Sequence, residues 1–477
     1  MKKSELYTVI VFVIIASLDN AALALIPAIM TSIAEGIGVA EEMSAILSFI
    51  VATLYLVTAV TSFIWGYWGD KYSRKKLMIY GTIIWVIFIF LSTFAQNFVQ
   101  LFILQFLSGI GLGCIASVGF SIIIDFISPQ RRGLALSFWG ISQGVGAGMG
   151  YMLSVIFNVQ FGWNSAFLIL SIITIGFIVA YLFTVEPERG ATEEELQDLF
   201  KSKKSYDYRI NKEDLRYILK IKTNKYLIFQ GLFAYISIGG LMLLPTVFFF
   251  KITAVGVPEV PAKVIGPFLA GIFEMGYGLS FLFGWLGDRY QKKTLKGRSI
   301  VSAVAVLIGV PLSIVMVLIP INFIGVPNTD ELTTIIAYIN SLFFTNPAFL
   351  LAFIISIFAA IFISAIDPNF FALIGDANLP EHRGTLFGFA NLISGIGRSI
   401  GLIILPGLQL LLGSFLPLDM SWTLAFIFTL LFFIPTGICF IYSIRSAPSD
   451  IRKVKKILLE RAKARLEDKI QDGSRDI

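Results

Sequence analysis

Two short charged stretches with the same pattern interrupt an otherwise apolar chain. The first is GYWGDKYSRKKLM, from Gly66 to Met78, and the second is GWLGDRYQKK, from Gly284 to Lys293. In each, Gly-x-x-Gly-Asp is followed by a basic residue and a tyrosine. Charged residues between long apolar runs mark places where a chain leaves a membrane. The two stretches therefore predict equivalent loops in the two halves of a repeated membrane protein.

The composition supports a membrane protein. Of the 477 residues, 56% are hydrophobic and 14% are charged, whereas a soluble domain carries roughly 25% charged residues. A helix needs about 20 apolar residues to cross a hydrocarbon layer of roughly 30 Å. We predict an all-α membrane protein with twelve transmembrane helices, named spans one to twelve, at 7–33, 43–67, 76–95, 99–125, 133–158, 164–185, 223–250, 263–287, 299–320, 347–375, 384–412 and 421–445.

A second repeated stretch supports a division into halves. DFISPQRRGLALSFWGISQGVGAGMG begins at Asp125, and DANLPEHRGTLFGFANLISGIGRSIG, which begins at Asp376, aligns with it without a gap. The glycines in both predict close packing of helices. The predicted organisation is an N-terminal six-helix bundle at 1–185, a cytoplasmic linker at 186–222, a C-terminal six-helix bundle at 223–445 and a cytoplasmic amphipathic tail at 446–477.

Two polar stretches lie between or within these parts. In the linker, Thr192 with Glu195 and Asn211 with Asp214 have the spacing of helix-capping pairs and predict two short helices. The stretch 321–347 follows span nine and is predicted as an insertion that faces outward.

Basic residues set the predicted orientation. Nearly all of the 37 Lys and Arg residues fall on one side of the twelve spans, which places both termini in the cytoplasm of a protein of the cell membrane. The net charge of +6 is thus explained by topology, and we expect no nucleic-acid partner. In the tail, Ile451, Val454, Leu458, Leu466 and Ile470 lie along one helical face among Lys and Arg; the tail either contacts anionic lipids of the inner leaflet or is a solvated helix.

Residues typical of catalytic or metal sites are scarce. Cys114 and Cys439 both fall within predicted spans, and His382 is the single histidine. No Ser/His/Asp, Cys/His or metal-ligand pattern can be assembled from the sequence. We therefore expect neither an enzyme nor a bound cofactor or metal.

The stretch from Gly66 to Lys76 resembles the signature loop between spans two and three of the major facilitator superfamily. The twelve spans, the central linker and the second loop at Gly284 agree with that resemblance. VEPERG at 185–190 is similar to the spinster-type branch, some members of which export lysolipids or sphingolipid phosphates. The resemblance implies two pseudo-symmetric six-helix bundles that rock around a central cavity. The chain departs from the usual pattern at Asn20, where that branch has Arg, and at Gln105, where many facilitators have Arg.

Four ionisable residues lie at bilayer depth, where each costs about 3 kcal/mol or more and is by default a functional hypothesis. They are Asp19, Glu274, Asp367 and Arg398. The resemblance implies that spans one, four, seven and ten line the cavity, which would place Asp19 and Asp367 on its walls. Further polar residues either line the cavity or form hydrogen bonds where helices meet; they are Asn20, Gln105, Gln143, Gln230, Tyr235, Asn369 and Asn391.

Each of these charges has two interpretations. Burial disfavours the charged form of Asp19, so this carboxyl is a candidate proton carrier, or it hydrogen-bonds an irregular turn of span one. Asp367 precedes Pro368, which predicts a helix kink. The Asp367 carboxylate either accepts hydrogen bonds from backbone N–H groups freed at the kink or has a role in binding substrate or protons. Arg398 keeps its charge and needs an acidic partner, Glu274 or Asp367, unless it captures an anionic substrate group.

The resemblance also implies a cytoplasmic gate. In the family the aspartate of the loop contacts the opposite half, so Asp70 would meet the start of span eleven and Asp288 the start of span five. Arg74 would then bridge Asp70 to Asp125. The complete predicted gate is Gly66, Asp70, Arg74, Asp125, Arg132, Asp288, Arg289 and Arg383.

The sequence thus predicts a secondary active transporter of a small or amphipathic solute that works by rocker-switch alternating access, with proton coupling through Asp19. Alternatives are a spinster-like lysolipid exporter, a non-transporting receptor, and a passive scramblase or channel. The expected partners are protons, a small-molecule or lipid-like substrate and anionic membrane lipids, and we expect a monomer.

Overall fold

The computed structural model describes residues 3–40, 46–119, 122, 132–186 and 212–473. All regular structure within these ranges is helical. The helices of the N-terminal half are Lys3–Ala28 with Met30–Gly36 (span one), Leu47–Lys71 (two), Arg74–Ser92 (three), Phe98–Cys114 with the π turn Ile115–Gly119 (four), Arg132–Phe161 (five) and Asn164–Leu182 (six).

The C-terminal half repeats this order after a short linker helix, Lys212–Lys220. Its helices are Lys222–Leu241 with Leu244–Ala254 (span seven), Glu259–Tyr277 with Gly278–Ser280 and Phe281–Lys293 (eight), Gly297–Leu318 (nine), Pro347–Ile363 with Ile366–Asp376 (ten), Pro380–Gly413 (eleven), and Leu418–Leu430 with Phe433–Gly473 (twelve).

These helices confirm the predicted fold class. In the described chain, ten helices are long and apolar enough to cross a membrane, and the pair that forms span seven, bent by 40°, makes an eleventh. Span five, a glycine-rich helix of 30 residues, stands at the predicted position and completes the twelve. The polypeptide is therefore an all-α, multi-pass membrane protein.

Span ten is broken where the sequence predicts a kink. Its first segment ends at Ile363, and a second begins at Ile366, so Asp367 and Pro368 fall in the first turn of a new helix. Proline is tolerated there because the first N–H groups of a helix have no intrahelical acceptor. The break places Asp367 in the interior of the bundle, where only 7% of its surface is exposed.

The two halves meet through spans two and eleven and through spans five and eight, which pack along each other. Glycine makes the second contact possible. A Cβ atom on Gly144 would collide with the backbone of Gly278 and with the carbonyl oxygen of Glu274. The predicted role of the glycine-rich stretch in close helix packing is therefore confirmed.

The polar insertion contains a helix that is not predicted from the sequence. Leu332–Thr345 buries Leu332, Ile335, Ile339 and Leu342, a spacing of three to four residues that forms one helical face. This helix packs on span ten and also contacts spans five and eight. It therefore lies over a junction between the two halves.

The second half of span twelve continues without a break through residue 446, where the tail is predicted to begin. It runs from Phe433 to Gly473, which is 41 residues or about 61 Å of helix. Ile451 and Val454, predicted for the apolar face of the tail, are 2% and 5% exposed. This face of the helix therefore packs against protein at these two positions.

Candidate functional site: a buried charged cluster between the two halves

Arg398 on span eleven lies at the interface between the halves. Its guanidinium carbon is 5.3 Å from the ring centre of Tyr55 on span two and 4.7 Å from that of Tyr235 on span seven. Its Nη2 donates to the side-chain oxygen of Gln143 on span five at 3.5 Å. Its Nε is buried and has no hydrogen-bond acceptor among the described residues. Side chains of both halves thus hold this cation, with one N–H left available.

Asp367 is the acidic counterpart of the cluster. Its Oδ1 accepts a hydrogen bond from the Tyr235 hydroxyl at 2.8 Å, and its Oδ2 accepts one from the Tyr277 hydroxyl at 2.7 Å. Tyr235 therefore has two roles, because its ring faces Arg398 while its hydroxyl binds Asp367. Spans seven, eight, ten and eleven are joined by these contacts.

The predicted ion pair between Arg398 and either Glu274 or Asp367 is not formed. Neither carboxylate has an oxygen within the 4.0 Å that defines an ion pair. The physical reason is that tyrosine rings flank the guanidinium and that two phenols occupy the oxygens of Asp367. Arg398 still interacts electrostatically with Glu274 and Asp367 over a longer distance.

Asp19 on span one is buried, with 5% of its surface exposed. Its Oδ1 has no hydrogen-bond partner among the described residues. Asn20, next to it, donates to the carbonyl oxygen of Ala16 at 2.8 Å and so bonds to its own helix. Of this pair, Asp19 is therefore the residue with unused hydrogen-bonding capacity.

Two predicted cavity residues lie in helix contacts instead. Gln105 is fully buried, and its Nε2 donates to the Ser92 hydroxyl at 3.0 Å, between spans three and four. Asn369 donates to the carbonyl oxygen of Ala365 at 3.0 Å and packs against Gly287 of span eight. The structure thus joins Tyr235, Asp367 and Arg398 closely and places these two amides outside that cluster.

On the side of the bundle that carries both signature loops, here called the basic side, the second half has a closed charge network. Arg298 at the start of span nine binds Asp288 at 2.7 Å and lies 3.6 Å from Asp376. Gln291 donates to Asp376 at 3.3 Å and accepts from the backbone N–H of Arg298 at 3.2 Å. Arg298, absent from the predicted gate, thus connects the two repeated motifs of this half.

The other gate residue described in this half, Arg289, stacks its guanidinium over the Trp285 ring at 5.3 Å. In the first half, Gly66 packs near Ser117. The side chains of Asp70, Asp125, Arg132 and Arg383 lie outside the described part of the structure. The predicted contacts between halves at the starts of spans five and eleven therefore remain predictions.

Arg74 is 3% exposed, and its Nε lies 3.5 Å from the carboxylate of Glu186 at the end of span six. Glu186 also accepts from the Ser73 hydroxyl at 2.6 Å and from the backbone N–H of Arg74 at 2.8 Å, with a longer contact from Lys75. This carboxylate caps the N-terminus of span three, where negative charge is favoured. Burial alone would raise the pKa of Glu186. The hydrogen bonds and the charge of Arg74 outweigh burial and hold this pKa below its usual 4.5.

On the opposite side of the bundle, an ion pair joins the halves. Lys263 on span eight lies 2.9 Å from Glu35 at the end of span one and 2.5 Å from Glu259 of its own helix. The Tyr151 hydroxyl of span five also joins the halves, because it donates to the carbonyl oxygen of Met242 in span seven at 3.3 Å. The halves are therefore in direct contact on this side.

Several members of these sites carry no signal in the sequence. Tyr55 and Tyr277 are ordinary residues of apolar helices, and only interhelical packing brings them to the charges. Gln143, in contrast, is one of the polar residues expected to line a cavity or to hydrogen-bond between helices. Glu186 does carry a signal, because it belongs to the family-like motif VEPERG at 185–190. Arg298 lies five residues after Lys293, where the second repeated loop motif ends.

Comparison with known proteins agrees with this architecture. The sequence profile of the Major Facilitator Superfamily matches residues 9–329. Multidrug resistance protein 3 of Bacillus subtilis (strain 168) is 30% identical over 135 residues, which are 28% of this chain and 26% of that protein. Protein spinster homolog 1 of Xenopus tropicalis is 27% identical over 169 residues, 35% of this chain and 32% of the relative. The chain thus spans about a third or less of the curated relatives it matches.

Solved structures extend the likeness to the fold as a whole. A bacterial homologue of the human lysosomal transporter Spinster, in an inward-facing and unoccupied conformation, superposes with a TM-score of 0.65 at 17% identity, covering 94% of this chain and 99% of that one. The inward-facing and occupied conformation of such a homologue superposes with a TM-score of 0.63. Together with the profile match over most of the sequence, these findings show that the chain belongs to the Major Facilitator Superfamily of transporters and is related to its spinster branch.

Proposed function

We propose that the protein is a secondary active transporter that moves an amphipathic organic anion by alternating access, with protons as the coupling ion. The observation that carries this proposal is the position of Arg398 between the halves, with a buried Nε that has no acceptor among the described residues. An unpaired buried donor on a cation is costly. A carboxylate or phosphate oxygen of a substrate is the acceptor that a guanidinium suits best.

The surroundings of Arg398 favour an amphipathic substrate. The rings of Tyr55 and Tyr235 place flat apolar surface beside the guanidinium. A ligand with an anionic group and an apolar body can bind both features at once. The relatives named for multidrug resistance and for spinster are consistent with such a substrate.

Asp19 is the proposed proton carrier. A buried carboxylate without a cationic partner is costly to hold in its charged form, and binding a proton removes that cost. Asp19 belongs to the N-terminal half, whereas Asp367 is already held by two tyrosines. Proton uptake and release at Asp19 can therefore follow the rocking of the halves without disturbing the Asp367 contacts.

Alternating access is supported by contacts on both sides of the bundle. The Lys263–Glu35 pair joins the halves on the side opposite the signature loops. On the basic side, which we take as cytoplasmic, the Asp288–Arg298–Asp376 network ties spans eight, nine and ten of one half together. Each half can thus move as a rigid body while the contacts between halves exchange.

Uptake into proteoliposomes tests the proposal. The probes are amphipathic anions, namely radiolabelled taurocholate, dodecyl phosphate and a fluorescent lysophosphatidate, with ethidium as an amphipathic cation. We expect an imposed pH gradient to drive accumulation of at least one anion and not of ethidium. Asp19→Asn should reduce gradient-driven accumulation at least tenfold while retaining anion binding, measured as a ligand-induced rise in thermal stability.

Arg398 is tested in the same assay. Arg398→Lys keeps the positive charge but loses the planar guanidinium, so we expect weakened anion binding and at least tenfold slower uptake. Binding without uptake in the wild type would indicate a receptor. Uptake that ignores the gradient and both substitutions would indicate a passive pathway and contradict the proposal.

A further inference from the structure

A basic cleft of about 580 Å³ lies between the start of span nine and the continuation of span twelve. Five of its lining residues are exposed cations, and Pro448 and Ser449 complete the lining; the cations are Lys296, Arg445, Arg452, Lys453 and Lys456. Among the side chains that the structure describes, one of these five, Lys456, has an ion-pair partner, Glu460 at 3.8 Å. The cleft therefore concentrates positive charge, and four of its five cations have no carboxylate partner among the described side chains.

The helix that carries this cleft is fixed to the body of the protein. Ile451 and Val454 are buried on its inner face. Asp450 accepts from the hydroxyl and the backbone N–H of Thr223, at the start of span seven, at 2.7 and 3.1 Å. These contacts hold the helix in one orientation and direct its cationic face outward, so the cleft is formed by anchored elements.

An exposed apolar stripe leads directly into the cleft. Along span twelve, Ile434, Ile438 and Tyr442 are 51%, 46% and 49% exposed. Arg445, Ser449, Arg452 and Lys456 continue the same spacing of three to four residues, so all seven positions lie on one face of the helix.

Span nine repeats this arrangement. Val304 and Ile308 are 49% and 41% exposed and lie two and three turns beyond Lys296. On both helices, an apolar surface at membrane depth thus ends in a cation at the basic side.

We propose that this cleft binds an anionic phospholipid of the adjacent leaflet, with the phosphate among the cations and an acyl chain along the apolar stripe. Phosphate oxygens accept hydrogen bonds from guanidinium and ammonium groups, and basic pockets beside membrane helices suit anionic headgroups. A soluble phosphate compound would leave the apolar stripe unused. Spans nine and twelve carry none of the residues of the charged cluster, so this site is separate from the proposed transport site.

Native mass spectrometry of the purified full-length protein with added phosphatidylglycerol or phosphatidylcholine tests the site. The site variant is Arg445→Gln/Arg452→Gln/Lys456→Gln. The matched control, Lys292→Gln/Lys293→Gln/Lys455→Gln, removes the same charge from exposed residues of the same side that do not line the cleft. We expect the site variant to lose phosphatidylglycerol binding about tenfold or more, the control to stay within twofold of wild type, and phosphatidylcholine to bind weakly to all three.

The single substitution Arg452→Gln perturbs folding less than the triple substitution does. It should reduce phosphatidylglycerol binding by a smaller factor. Excess glycerol 3-phosphate separates a lipid from a soluble source of phosphate. Weak displacement of bound lipid by this compound supports the proposal, because the compound lacks the acyl chain. Equal losses in the site and control variants, or full displacement by an equimolar amount of glycerol 3-phosphate, would overturn it.

Discussion

Asp367 links the stability of the helix bundle to the charged cluster at its centre. Both oxygens of this buried carboxylate accept hydrogen bonds from tyrosines of neighbouring helices. A buried carboxylate that loses a donor pays a desolvation cost that the protein cannot recover. The two tyrosines differ, because only the Tyr235 ring also faces Arg398.

Tyr235→Phe and Tyr277→Phe each remove one hydrogen bond from Asp367, and each should lower the free energy of unfolding by about 1–3 kcal/mol. Tyr235→Phe keeps the aromatic ring beside Arg398, whereas Tyr235→Leu loses both contacts and should cost more. Thermal unfolding of the purified variants, all in the same detergent, measures the order of their stabilities. A Tyr235→Phe variant as stable as wild type would show that the hydrogen bond to Asp367 adds nothing.

Glu186 gives a pH-dependent prediction at the same scale. Its folded-state pKa lies below the usual 4.5 because hydrogen bonds and Arg74 outweigh burial. Its contribution to stability is therefore present above about pH 4.5 and is lost as the pH falls through the lowered pKa. Glu186→Gln should be less stable than wild type at pH 7, and the difference should shrink toward pH 3. A difference that stays constant with pH would contradict the role of this charge as the cap of span three.

At the scale of helices, glycine sets the distance between spans five and eight. Gly144 and Gly148 lie one turn apart on span five, but their surroundings differ. A Cβ atom on Gly144 would meet the backbone of Gly278, whereas one on Gly148 would approach the flexible side chain of Met275 at 3.4 Å. Backbone cannot yield as a methionine side chain can, so the two sites form a matched pair.

Gly144→Ala should lower stability by about 1–3 kcal/mol through overpacking and slow any transport that needs spans five and eight to close. Gly148→Ala should change the stability and the transport rate by little. Unfolding and uptake measurements on the two variants decide this. Equal effects at the two positions would indicate that the helices separate easily and that glycine is not required.

The sequence predicts helices and their breaks better than it predicts contacts between helices. Run length and charge locate the spans, and Pro368 locates the break in span ten, because both signals are local. The helix at Leu332–Thr345 is missed because its apolar face is short and lies in a polar stretch. The setting of Arg398 depends on Tyr55 and Gln143 of the other half, which no local pattern brings together.

At the scale of the whole molecule, the repeat predicted from GYWGDKYSRKKLM and GWLGDRYQKK corresponds to two halves joined through spans two and eleven and spans five and eight. The structure adds an ion pair between the halves at Lys263 and Glu35 on one side, while charged loops occupy the other. Between these two sides lies the cluster around Arg398. A central charged cluster, with a contact between the halves on one side and the predicted gate on the other, is the arrangement expected of a rocking transporter.

Distances between spin labels measure that rocking most directly. Cysteines replace the exposed Phe161 and Phe344 on one side and Lys76 and Lys292 on the other, each pair with one member per half, in a background where Cys114 and Cys439 are serine. Double electron–electron resonance is recorded at pH 5 and pH 8, with and without taurocholate. If the halves rock about the central cluster, one pair lengthens as the other shortens. Distances that stay unchanged, or that change in the same direction on both sides, would contradict this prediction.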